Sequence, residues 1–256
     1  MTSTVHSVLI LGGTSEARDL ASRLSARPCL RVISSLAGRV KDPALPAGEV
    51  RIGGFGGVGG LADWLTEHDI SAVVDATHPF AARISANATE ACHRTGVPLL
   101  RVVRPPWLPG DGDNWHVAST LADAASMLPD MGRRVFLTTG RQGLDVFAPL
   151  SQLWFLIRCV DPPAGPMPPQ RQVILARGPY DADAELALMR EHRIDVLVTK
   201  NSGGELTAGK LAAARDLGIP VVMVSRPQLA VAPGCCSSAE DAESWLLRQL
   251  RRSAGA

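Results

Sequence analysis

The sequence predicts an α/β protein of two lobes, each built on a parallel β-sheet. Three observations carry that expectation. Apolar, β-branched runs of four or five residues alternate with stretches of helical periodicity along the chain, and continuous runs of this kind mark strands buried on both faces. The alternation is broken by Arg104 to Asn114, where prolines and glycines leave room for neither helix nor strand. Finally, 256 residues of which 46% are hydrophobic suffice for two separate cores.

The elements follow in order. In the first lobe, residues 1–103, strands are expected at 8–11, 30–33, 50–52, 72–75 and 99–103. Helices are expected at about 15–26, 61–68 and 80–95, the last with Pro79 in its first turn. Residues 104–114 form the crossing. The second lobe, residues 115–256, resumes with strands at 135–137, 154–157, 173–175, 196–198 and 221–224, and helices at about 120–128, 181–192, 205–217 and 239–251. A proline-rich loop from Asp161 to Pro169 lies inside it. The expected architecture is two doubly wound, Rossmann-like lobes with a cleft between them.

Charge excludes some functions. Lys plus Arg number 26 against 25 Asp plus Glu, a formal net charge of +1, and aromatic residues make up 4%. No cationic excess is available for a nucleic-acid backbone. The start of the chain lacks the pattern of a signal peptide and no apolar run reaches the roughly 18 residues of a membrane span, so a cytoplasmic protein that binds neither nucleic acid nor membrane is expected. Five cysteines without C-x-x-C or Cys/His spacing read as free thiols, with no metal site.

The remaining glycines gather where strands should end, and ligands of open parallel sheets bind beyond those carboxyl ends. Gly12-Gly13-Thr14-Ser15-Glu16-Ala17 follows the first strand and matches the dinucleotide fingerprint at Gly12 and Ala17, with Thr14 in place of the middle glycine. Such a turn opening a helix presents backbone N–H groups and a positive dipole to a pyrophosphate; it can equally be a tight turn with a Thr or Ser cap. The second strand continues Ser34-Ser35-Leu36-Ala37-Gly38-Arg39, without the carboxylate that holds a ribose 2′-hydroxyl in NAD sites. A 2′-phosphate, with Arg39 as its cation, fits better. Residues 53–60 collect six of the 24 glycines, among them Gly54 and Gly56, and are expected to close on a cofactor.

Asp75-Ala76-Thr77-His78-Pro79-Phe80 follows the fourth strand and places Thr77 and His78 at the crevice, His78 being either a packing residue or a ligand or proton relay. In the second lobe, Thr138-Thr139-Gly140-Arg141 and Thr199-Lys200-Asn201-Ser202-Gly203-Gly204 repeat the arrangement, as a second anion pocket or a capped helix. Scattered cations (Arg39, Arg83, Arg101, Arg104, Arg141, Arg177, Lys200 and Lys210) would suit a ligand with several carboxylates or phosphates, if they converge. A short-chain dehydrogenase is excluded, because the single tyrosine, Tyr180, has no lysine four residues on. A nucleotide-sugar transferase and a small-ligand-binding module remain as alternatives that would use the same cleft.

Taken together, residues 12–18, 75–81, 104–107, 139–140 and 198–204 resemble the precorrin-6A reductases of cobalamin biosynthesis, including the cobalt-precorrin-6A reductases that share these motifs. The resemblance implies an NADPH-dependent oxidoreductase that saturates the C18=C19 bond of a tetrapyrrole, precorrin-6A, with hydride delivered to C19 and a proton to C18. It assigns Gly12 to Ala17 to the pyrophosphate, Ser34, Ser35 and Arg39 to the 2′-phosphate, Gly54 and Gly56 to the ribose, and Thr77 and His78 to the nicotinamide. Arg83, Arg141, Lys200, Asn201 and Ser202 would grip substrate, and His78 and Lys200 are the candidates for catalytic proton transfer. Whether the substrate carries cobalt, and whether the chain meets partners of the same pathway, stay open at this point.

Overall fold

The structure, a computed structural model, describes residues 5–38, 45–229 and 232–253. The chain divides into two compact units, Met1–Arg104 with Pro227–Ala256 and Pro105–Arg226. Each unit holds a six-stranded sheet in which every paired strand is parallel.

In the first unit, β1 (His6–Leu11), β2 (Leu30–Leu36), β3 (Glu49–Ile52), β4 (Ile70–Asp75) and β5 (Leu99–Val102) alternate with α1 (Ser15–Ser25), α2 (Val58–Glu67) and α3 (Ala82–Thr95). The second unit runs β6 (Trp115–Ala118), α4 (Leu121–Met127), β7 (Arg134–Leu137), β8 (Trp154–Cys159), β9 (Arg171–Leu175), α5 (Ala182–Glu191), β10 (Val196–Lys200), α6 (Gly209–Asp216) and β11 (Val221–Val224). The chain then returns to the first unit for β12 (Cys235–Cys236) and α7 (Ala239–Ser253).

The first sheet is ordered β12-β5-β4-β1-β2-β3 and the second β6-β11-β10-β7-β8-β9. Both are the doubly wound order in which the sheet is built outwards from its first central strand in both directions. The sixth position is filled unusually. β6 precedes the rest of its sheet in the chain, and β12 joins the first sheet only after the second is complete.

This return differs from the expected division, which gave all of 115–256 to the second lobe and made 104–114 a crossing of its own. The cause is packing. Ala239, Ala242, Leu246 and Leu250 of α7 bury against Ala17, Leu20, Ala21 and Leu24 of α1 and the even-numbered side chains Val8 and Ile10 of β1. The odd-numbered Leu9 and Leu11 face α2 and α3 through Leu61, Leu65, Ala88 and Cys92. Burial on both faces explains why these strands read as unbroken apolar runs. In the second unit, Phe136, Leu156 and Leu197 pack under α5 and α6 with Met189, Leu211 and Ala214.

Local chemistry sets the helix starts. Thr14 caps α1 by accepting from Ala17 N at 3.2 Å, Thr120 and Asp123 form a reciprocal capping box on α4, and Asp181 caps α5. Three starts move from expectation. α2 begins at Val58, earlier than its glycines suggest: Gly60 lies inside the helix and passes so close to Phe55 O that any Cβ would collide with it, so packing, not a turn, demands glycine there. α3 begins at Ala82, after a turn closed by Ala81 N donating to His78 O, which leaves Pro79 outside the helix. α6 begins at Gly209, behind a short 3₁₀ turn over Glu205–Thr207. The five cysteines are free thiols, and among the described residues no helix is long and apolar enough to cross a membrane.

Candidate functional site

The crevice of a doubly wound sheet opens where neighbouring strands send their following chain to opposite faces. In the first unit that place lies between β1 and β4, so the loops at 12–14 and 76–81 leave the sheet side by side. Thr14 joins them: its Oγ1 donates to Ala76 O at 2.7 Å while capping α1. Thr14 thus replaces a fingerprint glycine with a hydroxyl that locks the turn. Gly13 has φ of +115°, a conformation that L side chains rarely adopt.

Two shallow recesses flank this turn. One is lined by Gly12, Gly13, Ala17, Arg18, Ser34, Leu36 and Pro46. Ser34 is 1% exposed and its Oγ makes no hydrogen bond within the protein, an uncompensated burial that costs stability. The other is lined by Thr14, Glu16, Ala76, Thr77, Pro79, Val102 and Arg104. Ser15 Oγ donates to Glu16 Oε2 at 3.0 Å, and Arg104 Nη1 lies 3.3 Å from both carboxylate oxygens. Burial opposes the Glu16 charge, but its own backbone N–H, Arg104 and Ser15 outweigh it and hold the carboxyl below its ordinary pKa. The Arg104 ion pair offsets an acid that would otherwise repel a phosphate at the start of α1.

At the outer edge, Arg51 is the register partner of Ser35. Its Nη1 donates to Gly53 O at 2.6 Å and its Nη2 to Gly54 O at 2.7 Å, and the guanidinium lies 3.8 Å from the Phe55 ring centroid. Gly54 and Gly56 sit in this loop with open space where a Cβ would be. Arg39 lies outside the described residues.

The loop after β4 is braced from beneath. Asp75 Oδ1 accepts from Thr77 N at 3.2 Å and from Thr77 Oγ1 at 2.7 Å, and Asp75 Oδ2 pairs with Arg101 Nε at 3.2 Å. His78 is exposed, and its Nδ1 accepts from Phe80 N at 3.2 Å. A neutral ring bonded in this way carries its proton on Nε2, pointing away from the loop backbone. Arg83 is exposed on the first turn of α3.

The second unit has the same construction between β7 and β10. Lys200 Nζ donates to Thr139 O at 2.9 Å, joining the two loops, and burial lowers the Lys200 pKa. Thr139 is 5% exposed and its Oγ1 makes no hydrogen bond within the protein. Arg141 pairs with Asp161 at 3.9 Å. Asn201 serves a different purpose from the one expected. Its Oδ1 accepts from Trp107 N at 2.8 Å and its Nδ2 donates to Trp107 O at 3.0 Å, so it clamps backbone rather than offering donors outwards. Ser202 O accepts from Arg226, whose Nε also reaches Asn201 O at 2.8 Å. Gly203 has φ of +68° and passes against Pro105 O, which leaves no room for a Cβ.

Thus Gly12, Gly13, Ala17 and Ser34 share one recess, Thr14, Glu16 and Thr77 another, and Ser35 and Gly54 meet at Arg51. Lys200 meets the Thr139 loop, while Asn201 and Ser202 are held to Trp107 and Arg226. Sequence reasoning missed Arg51, the Asp75–Arg101 brace and the Trp107 clamp, and named Thr139 only as part of its loop. An arginine between Val50 and Ile52, two residues before a glycine run, was the available signal for Arg51.

Comparison with known proteins places this geometry. A protein 58% identical over 245 residues, covering 96% of this chain and 99% of its own, is the precorrin-6A reductase of Rhodococcus erythropolis. The cobalt-precorrin-6A reductase of Salmonella typhimurium is 34% identical over 241 residues, covering 86% of this chain and 87% of its own. A solved structure described as CobK precorrin-6A reductase superposes with a TM-score of 0.89 at 43% identity, covering 96% of this chain and 97% of that one. The family model described as precorrin-6x reductase CbiJ/CobK matches residues 7–247. Matched by that family model over most of its length and sharing the fold of the solved reductase, the chain belongs to the precorrin-6x reductase CbiJ/CobK family.

Proposed function

We propose that the chain uses NADPH to reduce the C18=C19 bond of metal-free precorrin-6A, giving precorrin-6B, in the cytoplasm. Reduction of a precorrin in cobalamin synthesis follows from family membership; the cofactor, the metal-free substrate, the compartment and the residue roles are our reading. The observation that carries the cofactor is the end of β2. It offers Ser34, with a buried hydroxyl that has no partner in the protein, and Ser35 beside Arg51, where an NAD site would offer a carboxylate. The residues therefore fit a 2′-phosphorylated nucleotide, with the pyrophosphate on the Gly12–Ala17 turn and the nicotinamide end toward Thr77 and His78.

Bound NADPH supplies the hydride. The protein's part is position and charge. Thr77 is fixed by Asp75, so its placement survives thermal motion of the loop. His78 would donate a proton only as imidazolium, which gives up the bond from Phe80 N, so solvent and Lys200 stand beside it as proton sources for C18. In the second unit Lys200 and Thr139 Oγ1 would meet a substrate carboxylate, with Arg141 supplying further charge.

A relative at 58% identity is named for precorrin-6A, whereas three named for the cobalt form are 31–34% identical. Anaerobic turnover of precorrin-6A and its cobalt complex, with NADPH or NADH and the macrocycle spectrum as readout, tests the cofactor and the substrate. Loss of conjugation with precorrin-6A and NADPH is expected. Equal rates with NADH would overturn the cofactor assignment, and preference for the cobalt complex would overturn the substrate assignment.

A further inference from the structure

We propose that Arg51, on β3, is the residue that reads the 2′-phosphate of the nucleotide, with its side chain pre-set by the glycine loop that follows it. The inference rests on the NADPH reading above and adds to it a residue that neither the fingerprint nor the spacing of the second strand points to.

Three observations converge on it. First, position: Arg51 pairs in register with Ser35, and Ser35 O accepts from Gly12 N at 3.0 Å. One residue thus touches both the pyrophosphate turn and the arginine. Parallel pairing puts the Ser35 and Arg51 side chains on one face of the sheet, and Arg51 Nη1 reaches Ser35 Oγ at 3.4 Å. In a doubly wound nucleotide site, the carboxyl end of this second strand receives the ribose 2′ substituent.

Second, geometry. Gly53 O and Gly54 O each take one N–H of the guanidinium, and Phe55 lies under its plane. Phe55 is itself held edge-on by Trp64, at 5.5 Å between ring centroids. A guanidinium has five N–H donors in a fixed fork, so Nε–H and a terminal N–H remain after these contacts. The fork is oriented before any ligand arrives, which removes much of the entropy cost of binding.

Third, charge. Desolvation is what shifts the Arg51 pKa, downwards, and no carboxylate among the described residues compensates it. A partly buried cation, stacked on an aromatic ring and with no acidic partner among the described residues, is complementary to a dianionic phosphomonoester. A purely structural role, tethering the glycine loop, would be served by neutral donors as well.

The test uses binding rather than turnover. Adenosine 2′,5′-bisphosphate and 5′-AMP differ only in the 2′-phosphate, and calorimetric titration of the full chain with each isolates that contact. The native chain should prefer the bisphosphate. Arg51→Gln, which keeps a donor for the loop carbonyls, should weaken bisphosphate binding about tenfold or more while changing 5′-AMP binding less than about twofold. Arg51→Lys, which keeps the charge, should retain part of the preference. Equal losses for both nucleotides, or no loss for either, would overturn the assignment and leave Arg51 as a loop tether. Absence of any preference in the native chain would instead sink the NADPH reading, a separate result visible before any variant is made.

Discussion

Arg101 Nε lies 3.2 Å from Asp75 Oδ2, and the two side chains are only 6% and 1% exposed. Arg101 also donates to Thr89 Oγ1 at 3.0 Å, so it ties the end of β4 to α3 while Asp75 positions Thr77. Asp75→Ala should therefore destabilise the fold by about 3–5 kcal/mol, because it strands a buried guanidinium, and Asp75→Ala with Arg101→Met should recover much of the loss. Urea unfolding of the native chain and the two variants checks this. A single-variant loss below about 1 kcal/mol would show that water reaches Arg101.

Ser34 makes the opposite prediction. Its buried hydroxyl has no partner in the protein, so Ser34→Ala should change unfolding free energy by less than about 0.5 kcal/mol or raise it slightly. NADPH affinity should nevertheless fall about ten- to a hundredfold, by loss of one hydrogen bond to a charged group. Thermal melts with and without NADPH separate the two effects; an unchanged NADPH-induced shift would remove Ser34 from the site.

Lys200 carries a pH dependence. Burial lowers its pKa in the folded chain, so between that value and the ordinary lysine value the unfolded state binds more protons and stability rises with pH. Lys200→Met lacks this slope. The stability of the native chain relative to the variant should grow as pH climbs toward about 10.4 and then level off. Chemical denaturation at a series of pH values measures it, and parallel slopes would mean that Lys200 is solvated. Turnover should fall in the variant if Lys200 meets substrate.

Asn201→Ala should act on structure before it acts on binding. Removing the two bonds to Trp107 leaves a half-buried backbone N–H and C=O to find other partners, at a cost of about 1–3 kcal/mol. Trp107 fluorescence reports the release. A variant with native stability and a raised KM for the tetrapyrrole would return Asn201 to the substrate contacts.

Legibility of the sequence followed the range of the interactions. Ten of the twelve described strands were readable as short apolar or β-branched runs: eight are buried strands, while the edge strands β3 and β9 kept such a run although they are largely exposed. β6 exposes His116 and Val117 and β12 has only two residues, so neither carries a hydrophobic signature; each exists because a sheet edge is there to receive it. The glycine turns and the Thr77 and Lys200 loops were legible because loop chemistry is local. Arg51 and Ser35 are 16 residues apart, Arg101 and Asp75 are 26 apart and Asn201 and Trp107 are 94 apart, so these pairs exist only once the register is set. Asn201 shows the limit most clearly. Its place in a polar row suggested a ligand, whereas both ends of its amide are taken up by the backbone of a proline-rich segment.

The exchanged sixth strands bear on how the chain is made. Residues 1–104 emerge first during synthesis but lack β12 and α7, whose Leu246 and Leu250 cover α1. Until the ribosome has delivered nearly the whole chain, the first unit keeps an open sheet edge beside β5 and an uncovered apolar helix face. The second unit, contiguous from Pro105 to Arg226 with β6 already at hand, can close before it. Maturation should therefore run against the order of translation, and a premature stop between Arg226 and Cys235 should yield a finished second unit attached to an aggregation-prone first one.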